Sequence, residues 1–284
     1  MRSRRRPEVV FRVALAALVA AACDRRAPAP APDAAGASAS ARDADGGPAD
    51  AGSRDAAPDV GADADAAAAL DPGDYVQSAP VRGRAVGNTS VVFKLELASG
   101  KKIAFKPDSR RGPRRYKGEI AAYRLARHLG LGQVPPAYFR TFTPAALRGA
   151  LSAEGAALFD REVVPTSAGK VRGSAVPWID GLRFAALERE PERSAWRGWL
   201  AKGGAIPDGK RARAREIAVL VAFDVLVGNW DRWSGGNVGE TEGGSLLFID
   251  NDGAFMHPFP AGPFAEARAV LAKTDRFSRG FVAS

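Results

Sequence analysis

Three oxygen-bearing side chains, Asp231, Asn237 and Asp250, lie where the chain must double back on itself. Leu246-Leu247-Phe248-Ile249 reads as a strand, and a Gly/Glu-rich turn (239–244) separates it from Val238, so the segment predicts a hairpin. Paired strands run about 5 Å apart. Asn237 is therefore expected beside Asp250, with Asp231 at the mouth of the same loop. Oxygen donors of this kind suit Mg²⁺ or Mn²⁺ rather than zinc, and such ions commonly arrive with nucleotide phosphates. His128 and His257 are the only histidines, so a histidine-rich metal centre is not expected. Phosphoryl transfer asks a protein for a metal site, a lysine on the phosphates and a carboxylate that orients the attacking hydroxyl. Lys106 can supply the cation and Glu119 can fix it. Asp231 can act as the base, with Asn237 and Asp250 as metal ligands.

The surrounding pattern explains how these residues would be held. Val91, Phe93, Leu95 and Leu97 alternate with Val92, Lys94 and Glu96, which predicts a strand. The turn Ala98-Ser99-Gly100 leads into a second strand, 102–106, closed by Pro107, so Lys106 stands at a strand end. Ahead of this hairpin, Gly83, Gly87, Asn88, Thr89 and Ser90 form a small-residue stretch able to turn tightly. Residues 117–130 predict a helix with Ala122, Leu125, Ala126 and Leu129 on one stripe and Glu119 in its first turn, near the buried side. Residues 214–228 are apolar nearly all round, so that helix should be central. Asp224 within it must be paired, and is assigned to holding the Asp231 loop. Trp178, Trp196 and Trp199 are expected in packing. The order predicts an α+β protein of two lobes, an N-terminal one rich in strands and a short, helical C-terminal one.

The first 72 residues read differently. Arg2, Arg4, Arg5 and Arg6 precede an apolar run, 13–22, too short to span a bilayer as a helix but suited to a signal peptide (1–22). Cleavage after Ala20-Ala21-Ala22 would leave Cys23, the sole cysteine, as the first residue. This resembles the bacterial lipobox, with Ala20 where that motif usually has Leu. An exported lipoprotein, anchored through Cys23 and facing the periplasm or cell surface, is expected; a secreted soluble protein is the alternative. Residues 23–72 are dominated by Ala, Asp, Pro, Gly and Ser, too poor in apolar surface to offset chain entropy, and predict a flexible tether. One folded domain is expected over 73–284.

Four strings carry a family resemblance over residues 80 to 256: VVFKLELASGKKIAFKP, GEIAAYRLARHLGLGQVPP, FDVLVGNWDRWSGGN and LFIDNDGAF. They resemble the secretory-pathway kinases of the Four-jointed and Golgi casein kinase type and, more distantly, HipA and the phosphatidylinositol kinases. The resemblance implies a protein-kinase-like fold that binds ATP with Mg²⁺ or Mn²⁺ and phosphorylates hydroxyl groups of a protein or sugar. It makes Lys106 the phosphate-contacting lysine, Glu119 its ion-pair partner, Asp231 the catalytic aspartate and Asp250 the metal aspartate. No G-x-G-x-x-G loop is present, and Gly87, Asn88, Thr89 and Ser90 would cover the phosphates instead. Trp233 stands where many relatives have His, and Asn237 lies one position further from Asp231 than is usual.

Two other readings stay open. A pseudokinase would keep the fold as a binding module without transfer. A basic surface lipoprotein would bind an anionic polymer, as the net charge of +9 and the cluster Lys101, Lys102, Lys106, Arg110, Arg111, Arg114, Arg115 and Lys117 allow. Nucleic acid is not expected as a partner.

Overall fold

The structure is a computed structural model and describes residues 72–87, 89–258 and 260–283. The expected signal peptide, Cys23 and the expected tether as far as residue 71 lie outside the described residues, as does Asn88.

Five strands build the first layer. β1 (Pro80–Val86), β2 (Val92–Leu97), β3 (Lys102–Pro107), β4 (Tyr138–Phe142) and β5 (Val171–Pro177) form an antiparallel sheet in the order β1-β2-β3-β5-β4. The period-two pattern of β2 does what it predicts: Phe93, Leu95 and Leu97 are buried while the residues between them are half-exposed. With Ile103, Phe105, Phe142, Leu147, Phe159 and Val171 they make the N-terminal core. Lys106 pairs with Ser174 in the register of β3 with β5. This pairing, one residue beyond the last β2–β3 pair at Phe105, fixes where the lysine points.

α1 (Pro72–Val76) precedes the sheet, and α2 (Arg115–His128) crosses behind it. α2 begins two residues earlier than the sequence pattern predicts, so Glu119 lies in its second turn rather than its first. The cause is local. Arg114 adopts a left-handed backbone (φ 62°), and its N–H donates to Asp108 Oδ1 at 2.8 Å, which stops the incoming chain and starts the helix. Asp108 also accepts from Arg172 of β5 at 3.0 Å, so the helix start is tied to the sheet. α3 (Pro144–Ala150) and α4 (Ala153–Glu162) connect β4 to β5, each capped by a hydroxyl side chain, Thr143 and Ser152.

The second lobe forms around α6 (Arg211–Val227), whose residues from Ile217 to Val225 are all buried. α5 (Glu192–Leu200), α7 (Ala261–Ala272), α8 (Arg279–Ala283) and a three-stranded sheet surround it: β6 (Arg183–Phe184), β7 (Val238–Glu240) and β8 (Leu246–Phe248). Trp196 is buried and stacks on Trp233 with ring centroids 5.4 Å apart, so Trp233 serves packing in this lobe. No helix among the described residues is long and apolar enough to cross a membrane.

The two lobes meet where α2 lies against a 3₁₀ turn, Asn251–Gly253. Gly118 makes the close approach possible. A Cβ there would overlap the Ala254 carbonyl oxygen and meet those of Asp252 and Asn251 at 3.0 and 3.2 Å. Alanine favours a helix by roughly 1 kcal/mol over glycine, but overpacking against backbone costs about 1–3 kcal/mol. Gly118→Ala is therefore expected to lower the urea midpoint. Gly149→Ala, in α3 with nothing within 4 Å of its would-be Cβ, should leave it unchanged or raise it. Equal shifts in the two variants would show that α2 does not press on the turn.

Candidate active site

The centre of the site is an ammonium between two carboxylates. Lys106, buried at the end of β3, donates to Glu119 Oε2 and to Asp250 Oδ1, the latter at 2.6 Å. Burial alone would lower the Lys106 pKa, but Asp250, Glu119 and Asp252 together outweigh it and hold the amine charged well above the usual lysine range. Asp250 is shifted the opposite way. Burial pushes its carboxyl up, and Lys106 brings it below the ordinary carboxylate value. Asp250 adopts a left-handed backbone (φ 56°, ψ 55°), a conformation that disfavours most side chains. The strain is held by its neighbours. Asn251 N–H donates to Glu119 Oε1 at 3.2 Å, and Asn251 Nδ2 donates to the Phe248 carbonyl at 2.7 Å.

The loop carrying Asp231 is braced from inside. Arg232, with almost no exposure, donates through Nε to both oxygens of Asp224 at 3.1 and 3.0 Å and through Nη2 to Asn251 Oδ1 at 2.6 Å. Its Nη1 donates to the Asn237 and Ile249 carbonyls. One guanidinium thus joins α6, the Asp231 loop and both strands of the hairpin. Burial raises the Asp224 carboxyl to about 6, against the pull of Arg232. Asp224 has the bracing role its sequence position suggests.

Asp231 sits at the edge of this brace, half-buried, and its Oδ2 accepts from Arg115 Nη2 at 3.0 Å. The same nitrogen donates to Asp252 Oδ1 at 2.6 Å. Asp252 is buried, and burial together with Asp250 and Glu119 raises its carboxyl to about 6 although Lys106 and Arg115 oppose this. Ser90 Oγ approaches Asp252 Oδ2 at 3.4 Å.

Lys106, Glu119 and Asp250 are therefore in direct contact, and Asp231 is linked to them through Arg115 and Asp252. Asn237 departs from expectation. β7 pairs Val238 with Phe248, so the next step of the register sets Asn237 opposite Ile249, one residue short of Asp250. Its Nδ2 donates instead to the Asp231 carbonyl at 2.6 Å and to Ser234 Oγ at 3.1 Å. Of the proposed phosphate cover, Gly87 (φ 83°) turns the chain, Gly87 and Thr89 are exposed, and among the described residues of the segment it is Ser90 that reaches the carboxylates. Arg115, Asp252 and Asn251 were not singled out from sequence. Arg115 is hidden in an arginine-rich run, whereas Asp252, two residues after Asp250 in D-N-D-G, carried a readable signal.

No group of three or more His, Cys, Asp or Glu arranged to hold a metal occurs among the described residues. The charge balance still fits a divalent cation. Glu119, Asp231, Asp250 and Asp252 share ion pairs with Lys106 and Arg115, four carboxylates to two cations, and Arg232, which also acts on Asp250, is itself paired with Asp224. Asp250 is the carboxylate of the Lys106 cluster that remains partly accessible, its side chain 36% exposed.

No family model matches the chain, and no curated protein does. Solved structures do. The Golgi casein kinase with Mn and ADP bound matches with a TM-score of 0.54 at 14% identity, covering 74% of this chain and 62% of that one. Hydra Fam20 with sugar matches with a TM-score of 0.51 at 18% identity, covering 70% and 69%. This chain spans less than two thirds of the Golgi casein kinase chain. At these identities the shared property is the fold. The chain has a two-lobed, kinase-like phosphotransferase fold. Its fold is similar to those of the Golgi casein kinase and hydra Fam20.

Proposed function

We propose that this protein is an ATP- and divalent-metal-dependent phosphotransferase acting on hydroxyl groups of an extracytoplasmic protein or glycan. The observation that carries the reading is the Lys106–Glu119–Asp250 cluster, built from three separate elements and joined through Arg115 and Asp252 to Asp231. Lys106 holds the nucleotide phosphates, and Glu119 keeps its ammonium in place. Asp250, with Asn237 close to the Asp231 loop, would hold Mg²⁺ or Mn²⁺, which when bound supplies charge neutralisation to the phosphates. Asp231 takes the proton of the acceptor hydroxyl. The acceptor oxygen bonds to the γ-phosphorus as the bond to the β,γ-bridging oxygen breaks, and ADP leaves with that oxygen's charge. In this reading a signal peptide (1–22) is removed on export, and lipid on Cys23 with a tether (23–72) holds the kinase domain (73–284) off a membrane.

Binding of ATP with Mn²⁺ is expected to raise the melting temperature of the full chain, with little effect from either alone. At a hundredfold excess over Kd the gain is about 2.7 kcal/mol, or roughly 5–10 °C for a domain of this size. Radiolabelled ATP then separates the two kinase-fold readings. Labelled product or autophosphorylation supports transfer, and binding without label identifies a pseudokinase. Absence of any joint ATP–Mn²⁺ effect would rule out the nucleotide reading.

A further inference from the structure

Arg115 reaches Asp231, Asp252 and the Ser90 segment, and its guanidinium is only partly used. Nη2 is divided between Asp231 and Asp252 at 3.0 and 2.6 Å. Nη1 lies 3.5 Å from Ser90 Oγ, at the limit of a hydrogen bond, on the segment that would cover the phosphates. Nε is buried and has no hydrogen-bond partner, although an unpaired buried donor is costly. Two neighbours share the deficit: Trp230 Nε1 and Asn229 Nδ2 are also buried without partners, and Arg115 lies over the Trp230 ring, 5.4 Å from its centroid. Trp230 and Asn229 directly precede Asp231 in the chain, so the segment carrying that carboxylate holds two of these unpaired donors and Arg115 a third. The side chain of Arg115 is 16% exposed, so it faces the cleft rather than bulk solvent.

The charge distribution makes the same point. Lys106 already has two carboxylate partners. The cover segment offers one glycine instead of a glycine-rich cradle, so few backbone N–H groups can surround a phosphate there. The transferred group carries its charge on three equatorial oxygens. A planar guanidinium with free N–H groups matches that arrangement, since it can contact two oxygens at once.

We propose that Arg115 is a ligand of the transferred γ-phosphoryl group, and that in the nucleotide-free protein it rests on Asp231 and Asp252. The arrival of ATP turns the guanidinium toward phosphate oxygens and releases Asp231 Oδ2 to receive the acceptor hydroxyl proton. This inference rests on the kinase reading and deepens it by assigning a second phosphate cation.

The test compares affinities of the full chain for ADP and for the non-hydrolysable imido analogue of ATP, both with Mn²⁺, by calorimetry. Transfer rate and melting temperature are followed in parallel for wild type, Arg115→Lys and Arg115→Ala. Wild type should prefer the triphosphate. Arg115→Ala should lose that preference by roughly tenfold, the equivalent of one charge-assisted contact, with ADP affinity within about twofold of wild type. Arg115→Lys, which keeps the charge but not the fork, should recover part of the preference. A wild-type preference that persists in both variants overturns the assignment while leaving the kinase reading intact. So does an equal loss of affinity for ADP and the triphosphate with a lowered melting temperature, because that pattern marks a structural latch. Failure of wild type to bind either nucleotide overturns both readings. If Arg115→Ala does not fold, the comparison of Arg115→Lys with wild type decides.

Discussion

Replacing Asp231 with alanine should lower phosphate transfer by roughly a thousandfold, the contribution of a positioned base, or about 4 kcal/mol of barrier. Nucleotide binding should survive the change. Asp231 makes no contact with Lys106, and the Lys106–Glu119–Asp250 cluster is held by its own ion pairs and by Asn251. Arg115 would keep its shorter contact with Asp252. The melting-temperature rise with ATP and Mn²⁺ should thus persist in Asp231→Ala and vanish in Asp250→Ala, which removes both the proposed metal ligand and a partner of Lys106. Transfer by Asp231→Ala above a tenth of the wild-type rate would remove this residue from the chemistry. Loss of nucleotide binding in the same variant would assign it to the binding cluster instead.

Arg232→Met is expected to be the most destabilising single change in the C-terminal lobe. Arg232 and Asp224 are 0% and 1% exposed at their side chains. Removing one member of a buried pair costs about 3–5 kcal/mol, because the partner charge is left in a medium that cannot solvate it. The Asn237 and Ile249 carbonyls and Asn251 Oδ1 lose their donor at the same stroke. Typical domains are stable by only about 5–15 kcal/mol, so a large part of the margin would disappear. Chemical denaturation should show this, and the double variant Arg232→Met/Asp224→Asn should be less unstable than the sum of its parts. Strict additivity, or a loss under about 1 kcal/mol for Arg232→Met, would show that the brace contributes little.

The parts of the fold legible in the sequence are those with local, periodic signals. The β2–β3 hairpin, the helix bearing Glu119 and the buried helix α6 all follow from alternation or apolar spacing within a dozen residues. β4 and β5 do not. β5 (VRGSAVP) has no alternation, yet it lies in the sheet interior because β3 and β4 flank it on both sides. Gly173 is required there, since a Cβ would run into the Lys106 carbonyl and the Phe105 ring. Such demands come from segments more than sixty residues apart and leave no periodic trace. β1 was obscured by Arg82 and Arg84, which face outward at the sheet edge.

The site divides along the same line. Lys106, Glu119 and Asp250 were legible because each occupies an end or a face of a recognisable element. The placement of Asn237 missed by one register step, since the hairpin pairs Val238 rather than Gly239 with Phe248. Arg115 could not be separated by type from Arg110, Arg111 and Arg114. What selects it is the left-handed break at Arg114, imposed by Asp108, which turns the next side chain toward Asp231 and Asp252.

The seating of Gly118 on the carbonyls of residues 251–254 bears on how such a protein can be controlled. If the proposed kinase were switched by swinging α2, it would need slack beneath that helix, so that Glu119 could part from Lys106. Here helix and turn touch backbone to backbone, and Glu119 also anchors the Asn251 amide. An outward swing would break open the junction between the halves of the molecule. Amide hydrogens of α2 should accordingly exchange at the same slow rate with and without nucleotide, as in a machine shipped with its lever welded in the running position.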